Sequence, residues 1–224
     1  MATDASDTVG EEPLLELLQL SGSRGERALF QGLNLKLLPG DITWLRGRNG
    51  RGKTTLLRML AGLSSPEQGE IRAQGQSLRR APLSWRAQMG YIAHANALKD
   101  DLSAAEALTF VASLTGITPG PTEVTEALKR LGIASRAGAL VRALSQGQRR
   151  RVALARMALP GAPRIWLLDE PFDALDDRGI QVLNALLTEH ADRGGAVLLT
   201  SHQALTLQTS RLRELNLDDY SVLA

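Results

Sequence analysis

The 224 residues contain no cysteine. That excludes a disulfide framework and any metal site built on thiolates, and it is compatible with a reducing compartment. No apolar run reaches the roughly 18–20 residues that cross a bilayer, so a membrane role requires a second chain for the spanning part. The opening MATDASDTVGEEP carries Asp4, Asp7, Glu11 and Glu12 and no base. A secretory leader needs a basic start and an apolar core, so residues 1–12 are expected to form a disordered acidic tail. Lysine is scarce, with four against 22 arginines. The arginines raise the pI to about 9.3, yet the formal net charge is only +2. Charge alone therefore does not argue for nucleic acid. Internal repeats and low-complexity tracts are also lacking, and 43% apolar with 22% charged residues describes a globular chain.

What is present is an alternation of strands and helices. LLELLQLSG (14–22) and GLNLKLLPGD (32–41) read as strands, the second closed by Pro-Gly. DITWLRG (41–47) reads as a buried strand entering a glycine loop, then a helix with Leu56, Leu57, Leu60 and Leu63 on one face. QGEIRAQGQSL suggests an edge strand and turn. From about 104 to 159 the pattern is helical. RIWLLDE and GAVLLTS are short apolar runs typical of central parallel strands, separated by a helix. The expected architecture is a single α/β domain over 13–224. Its core covers about 13–95 and 160–224, interrupted by a helical block over about 96–159.

GRNGRGKT (47–54) matches G-x-x-x-x-G-K-[ST] between a strand and a helix, the context that motif requires. Gly47, Gly50 and Gly52 let the backbone of Arg48, Asn49 and Arg51 curl around phosphate oxygens, with Thr55 closing the cradle. Lys53 is expected at the β- and γ-phosphates, and Thr54 places a hydroxyl on Mg²⁺. IWLLDE ends a strand on two carboxylates, where a parallel sheet faces its ligand crevice. Asp169 is expected to hold Mg²⁺, directly or through water, and Glu170 to deprotonate the attacking water. LLTSHQ ends the next strand, so His202 is expected within reach of the γ-phosphate. Arg149, Arg150 and Arg151 read as a solvated face, the rival reading being contact with nucleotide or a partner.

LSQGQ (144–148) opens a helix about 25 residues before the Asp-Glu pair. Together with the P-loop and His202 it resembles the ATP-binding cassette (ABC) family, whose signature is LSGGQ. The resemblance covers about Leu14 to His202. It implies a P-loop ATPase fold: a mostly parallel central sheet, an antiparallel β edge and an inserted α-helical subdomain. It also implies a head-to-tail homodimer in which Ser145, Gly147 and Gln148 cap the ATP held by the partner's P-loop. FDALDD resembles the D-loop, placing Asp176 at the same interface. Two positions depart from the pattern. Arg24 stands where an aromatic residue usually stacks on adenine, and a guanidinium can stack on a purine too. His94 stands at the Q-loop glutamine, and a neutral imidazole is a poor ligand for Mg²⁺.

RALFQGLNLKLLPGDITWLRGRNGRGKTTLLRMLAGL, YIAHANALKDDLSAAEAL and WLLDEPFDALD are similar to the ATP-binding subunits of bacterial cytochrome c maturation complexes, which handle haem. There a glutamine commonly follows the histidine, where Ala95 stands in this chain. That resemblance implies a peripheral subunit on the cytoplasmic face of the inner membrane, bound to integral subunits of the CcmB, CcmC and CcmD kind. Its ATPase activity would power release of a haem-loaded periplasmic chaperone. It implies no direct haem contact and no nucleic acid. The alternative within the class is the ATPase of another multi-subunit exporter, for lipid or drug. A cassette acting on DNA or ribosomes usually has two cassettes or long coiled-coil arms. A small-molecule P-loop kinase leaves LSQGQ and His202 without a role.

Overall fold

A computed structural model describes residues 12–78, 88–205, 207, 209 and 211–221. The acidic segment up to residue 11 lies outside the described residues. Two sheets form the frame. The first is antiparallel, in the order β2–β1–β4–β5, from β1 (Leu15–Arg24), β2 (Arg27–Leu37), β4 (Gln68–Ala73) and β5 (Gln76–Ser77). The second runs β6–β7–β8–β3–β9, from β3 (Ile42–Arg46), β6 (Met89–Ile92), β7 (Ile165–Leu168), β8 (Ala196–Thr200) and β9 (Leu212–Asn216). All its pairings are parallel. The parallel sheet with an antiparallel companion is the architecture the sequence implied.

The pleat sorts the parallel sheet's side chains to two sides, because successive residues point to opposite faces. Ile165, Leu167, Ala196, Leu198 and Leu45 join one apolar cluster with β1, β2 and helix α1 (Lys53–Leu60). Trp166, Leu168, Val197, Leu199 and Ile42 join the other, with α2 (Ala104–Ser113), α3 (Pro121–Arg130), α4 (Gln146–Ala155) and α5 (Asp177–Asp192). Near-continuous apolar runs such as IWLL are what a strand buried on both faces requires. The helical stretch from 104 to 155 begins on a capping box, Ser103 with Glu106, and carries one isolated β-bridge, Ser103 to Leu140. Among the described residues no helix is long and apolar enough to cross a membrane.

Three local expectations are corrected. The second strand begins at Arg27, ahead of the expected 32, because β1 turns back on itself at Gly25 and pairs Arg24 with Arg27. Leu63 lies beyond α1 and is 52% exposed, since the helix ends at Leu60. QGEIRA is an interior strand bonded to β1, and the two-residue β5 takes the edge.

Trp166 is fully buried and stacks on His190, with ring centroids 3.7 Å apart. Burial pushes the His190 imidazole down to about 4. The unfolded chain therefore takes up a proton first as pH falls below about 6.5. Stability from this residue is full above 6.5, is lost between 6.5 and 4, and is flat below. Denaturant titrations of the native chain and His190→Gln will show a steeper acid slope in that window for the native chain.

Candidate nucleotide site

The glycine loop leaves β3 at the carboxyl end of the parallel sheet and enters α1 at Lys53. Gly52 adopts a φ of 107°, and a Cβ there would sit 3.0 Å from Leu29. Both observations require glycine at the point where the loop turns into the helix. The Lys53 ammonium donates to the Gly47 carbonyl at 2.6 Å and lies 3.4 Å from that of Arg48. It thus spans the loop, with its charge held over the cradle.

The two strand ends bring the carboxylates to the same place. Asp169 accepts from Thr54 Oγ1 at 2.8 Å and from Thr200 Oγ1 at 2.9 Å. Thr200 Oγ1 in turn accepts the Glu170 N–H at 2.8 Å. Glu170 takes a left-handed backbone, φ 49°, which costs a non-glycine residue on the order of 1 kcal/mol or more. Its carboxylate reaches the segment just after β8, where the His202 N–H donates to it at 2.9 Å. The His202 imidazole nitrogen lies 3.5 Å from the other carboxylate oxygen.

A cleft of 320 Å³ collects these groups. Its lining joins Arg24 and Leu29 to the loop from Asn49 to Thr55, with His94, Asp169, Glu170 and His202 opposite. Among the described residues no Phe, Tyr or Trp lines it. His94 Nδ1 lies 3.5 Å from Asp173 and its side chain is 70% exposed. Thr54 and Asp169 present oxygen donors to one point, the donor chemistry that suits Mg²⁺. Among the described residues no group of three His, Cys, Asp or Glu converges on a metal position. A cation there would complete its shell with phosphate and water oxygens, as Mg²⁺ commonly does.

The signature residues lie elsewhere. Ser145 caps α4: its hydroxyl accepts the Gln148 N–H at 3.2 Å, and the Gln148 side chain returns to the Ser145 N–H at 3.0 Å. Such a helix start offers N–H groups to an anion. A Cβ on Gly147 would fall 2.5 Å from the Ala174 carbonyl, so glycine lets the helix start dock on that loop. Asp176 caps α5, accepting the Gly179 N–H at 2.8 Å and pairing with Arg151. The Gly179 hydrogen bond, then the Arg151 charge, hold its carboxyl below the usual range. Ser145, Gly147, Gln148 and Asp176 line a second cleft of 520 Å³. None of them lines the P-loop cleft within one chain.

Sequence reasoning missed three contributors. The solvated-face reading of the arginine triplet fails at Arg150, which is 2% exposed and hydrogen-bonded to the Asp169 and Glu170 carbonyls. It also fails at Arg151, whose mostly buried side chain bonds the Leu131 carbonyl and Asp176. Thr200 had only its place at a strand end to mark it. Asp218 follows β9, where RLRELNLDDY has too few apolar residues to announce a strand. Its carboxylate accepts the Arg48 N–H at 3.0 Å and Arg51 Nε at 2.7 Å. Those contacts, Arg51 first, hold it below the usual carboxylate range. Asp218→Asn keeps the shape and loses the charge that holds the loop. ATP titration will show KM raised by roughly two- to tenfold with kcat near native.

A parallel sheet that aims a glycine loop and two strand-end carboxylates into one crevice defines a P-loop nucleotide-binding fold. The ABC transporter family profile matches residues 30–173. A cytochrome c biogenesis ATP-binding export protein CcmA of Dechloromonas aromatica is 43% identical over 204 residues, covering 91% of this chain and all of its own. CcmA 1 of Cupriavidus metallidurans is 44% identical over 200 residues, covering 89% and 96%. The solved structure of an ABC transporter ATP-binding protein from Pyrococcus furiosus superposes with a TM-score of 0.79 at 25% identity, covering 93% of this chain and 99% of that one. The chain belongs to the CcmA family of ABC transporter ATP-binding proteins. It binds ATP and is an ATPase.

Proposed function

We propose that the chain is the motor subunit of a cytochrome c maturation complex, hydrolysing ATP between two head-to-tail copies. The observation that carries the site reading is the single cleft shared by the glycine loop, Asp169, Glu170 and His202. Arg24 offers its guanidinium as the platform for adenine. The loop from Gly47 to Thr55 cradles the phosphates through backbone N–H groups, and Lys53 meets the β- and γ-oxygens. Thr54 and Asp169 hold Mg²⁺, which when bound neutralises charge on the phosphates.

Glu170 takes the proton of the attacking water, its carboxylate oriented by the His202 N–H. The imidazole of His202 stands beside that water and the γ-phosphate. Ser145, Gly147 and Gln148 of the second copy close the phosphate from the far side, and Asp176 crosses the same interface. The separation of the two clefts in one chain supports this arrangement, since each is half of a composite site.

The relatives' names tie CcmA proteins to cytochrome c biogenesis and export. By that likeness the complex includes integral membrane subunits of the CcmB, CcmC and CcmD kind, with this chain peripheral on the cytoplasmic face. Its ATP cycle releases a haem-loaded periplasmic chaperone, without haem or nucleic acid touching this subunit. Purification from native membranes followed by mass spectrometry tests the assignment. Recovery of small membrane subunits of the haem pathway is expected. Recovery of an unrelated lipid or drug permease would contradict it.

A further inference from the structure

Arg150 sits in the middle of α4 with its side chain turned inward. All five of its N–H donors have acceptors: Nε on Pro171 O at 3.3 Å, Nη1 on Ala93 O at 2.9 Å and Asn96 Oδ1 at 3.1 Å, Nη2 on Asp169 O at 2.9 Å and Glu170 O at 2.7 Å. One guanidinium therefore joins three segments: the helix capped by Ser145, the acidic end of β7, and the loop after β6 that carries His94. A buried charge held on carbonyls, beside the carboxylates of Asp173, Asp169 and Glu170, is a poor stability device, because apolar residues of similar volume commonly do as well. Its geometry is what an apolar side chain cannot supply. The Glu170 peptide is in a left-handed conformation, with its N–H held by Thr200 and its carbonyl held by Arg150.

We infer that Arg150 is a positioning residue that locks the Ser145 helix start and the Glu170 carboxylate of one chain into a single register. The inference rests on the composite-site reading above. In a head-to-tail pair, a chain's Glu170 serves its own ATP while its Ser145 serves the partner's. Arg150 then links the base of one site to the phosphate cap of the other. Arg150 itself bonds to no P-loop residue, and its one link to the loop runs through Asp169, which accepts from Thr54 Oγ1, so turnover should fall far more than ATP affinity of a single chain.

The test is Arg150→Lys, which keeps the buried charge but cannot reach three segments at once. Steady-state turnover and binding of a fluorescent ATP analogue are measured on the full chain. The expected result is kcat lower by at least about tenfold, with ATP affinity within about threefold of native. Unchanged kcat overturns the inference, and so does a parallel loss of kcat, affinity and melting temperature. If Arg150→Lys does not fold, Asn96→Ala decides, since it removes one acceptor from the part-buried edge of the cluster. A roughly two- to tenfold lower kcat at unchanged KM, about one hydrogen bond's worth, supports the lock; native kcat overturns it. Glu170→Gln in an otherwise native chain separates the two claims. Failure to trap an ATP-bound dimer there removes the site reading, whereas a trapped dimer with native turnover in Arg150→Lys removes only the role of Arg150.

Discussion

Glu170→Gln will bind ATP as the native chain does and hydrolyse it about 10²–10⁴-fold more slowly, the range a positioned general base supplies. The amide keeps the length and planarity of the carboxylate, so its carbonyl oxygen can still accept the His202 N–H now bonded to Oε2. Thr200 and Arg150 hold the backbone on either side, and neither contact involves the side chain. What the substitution removes is the ability to take a proton. ATP therefore stays intact between the two copies, and the dimer accumulates. Phosphate release, with light scattering for the dimer, reads both effects. Native turnover would remove Glu170 from the role of base.

Lys53→Ala acts one step earlier. The ammonium bridges the Gly47 and Arg48 carbonyls, and it is the lysine of the glycine loop, which lines the cleft. Removing it takes away a full positive charge where triphosphate charge collects. A charge-assisted contact of this kind contributes about 1.5–3 kcal/mol, so ATP affinity should fall by roughly 10- to 200-fold with turnover close to background. Equilibrium binding of a fluorescent ATP analogue measures the first and phosphate release the second. Native affinity in this variant would contradict the P-loop reading. The two substitutions separate cleanly: one binds without cleaving, the other scarcely binds.

Much of this site was legible because its chemistry is local in sequence. The glycine loop is written in eight consecutive residues, and its neighbours show a strand and a helix by their own patterns. IWLLDE shows burial and chemistry together, since a strand sealed on both faces must be apolar up to the point where it meets the crevice. LSQGQ was legible as a helix start for the same reason, and the structure adds that Gln148 closes a capping box on Ser145.

The rest is set by tertiary contacts that leave no periodic trace. Arg150 looks like its neighbours Arg149 and Arg151. Only the packing of α4 against β7 and the His94 loop decides that Arg150 turns onto the acidic strand end while Arg151 turns to Leu131 and Asp176. Asp218 reaches the glycine loop from about 170 residues away in sequence. Its strand, β9, shows a burial pattern too mixed to announce itself beside GAVLLTS. Glu170 has no sequence mark for its left-handed backbone, which follows from the hydrogen bonds on either side of it.

The chain has no native cysteine, so an introduced pair reports on its own geometry alone. One chain carries Asn49→Cys at the cradle and the other Gln146→Cys at the capped helix start, both with Glu170→Gln. The measurement is a thiol cross-link between them. With ATP and Mg²⁺ a covalent heterodimer is predicted, and without nucleotide it should be absent. Equal yields with and without ATP, or no cross-link at all while ATP is bound, would show that the helix cap of one copy does not close over the triphosphate of the other.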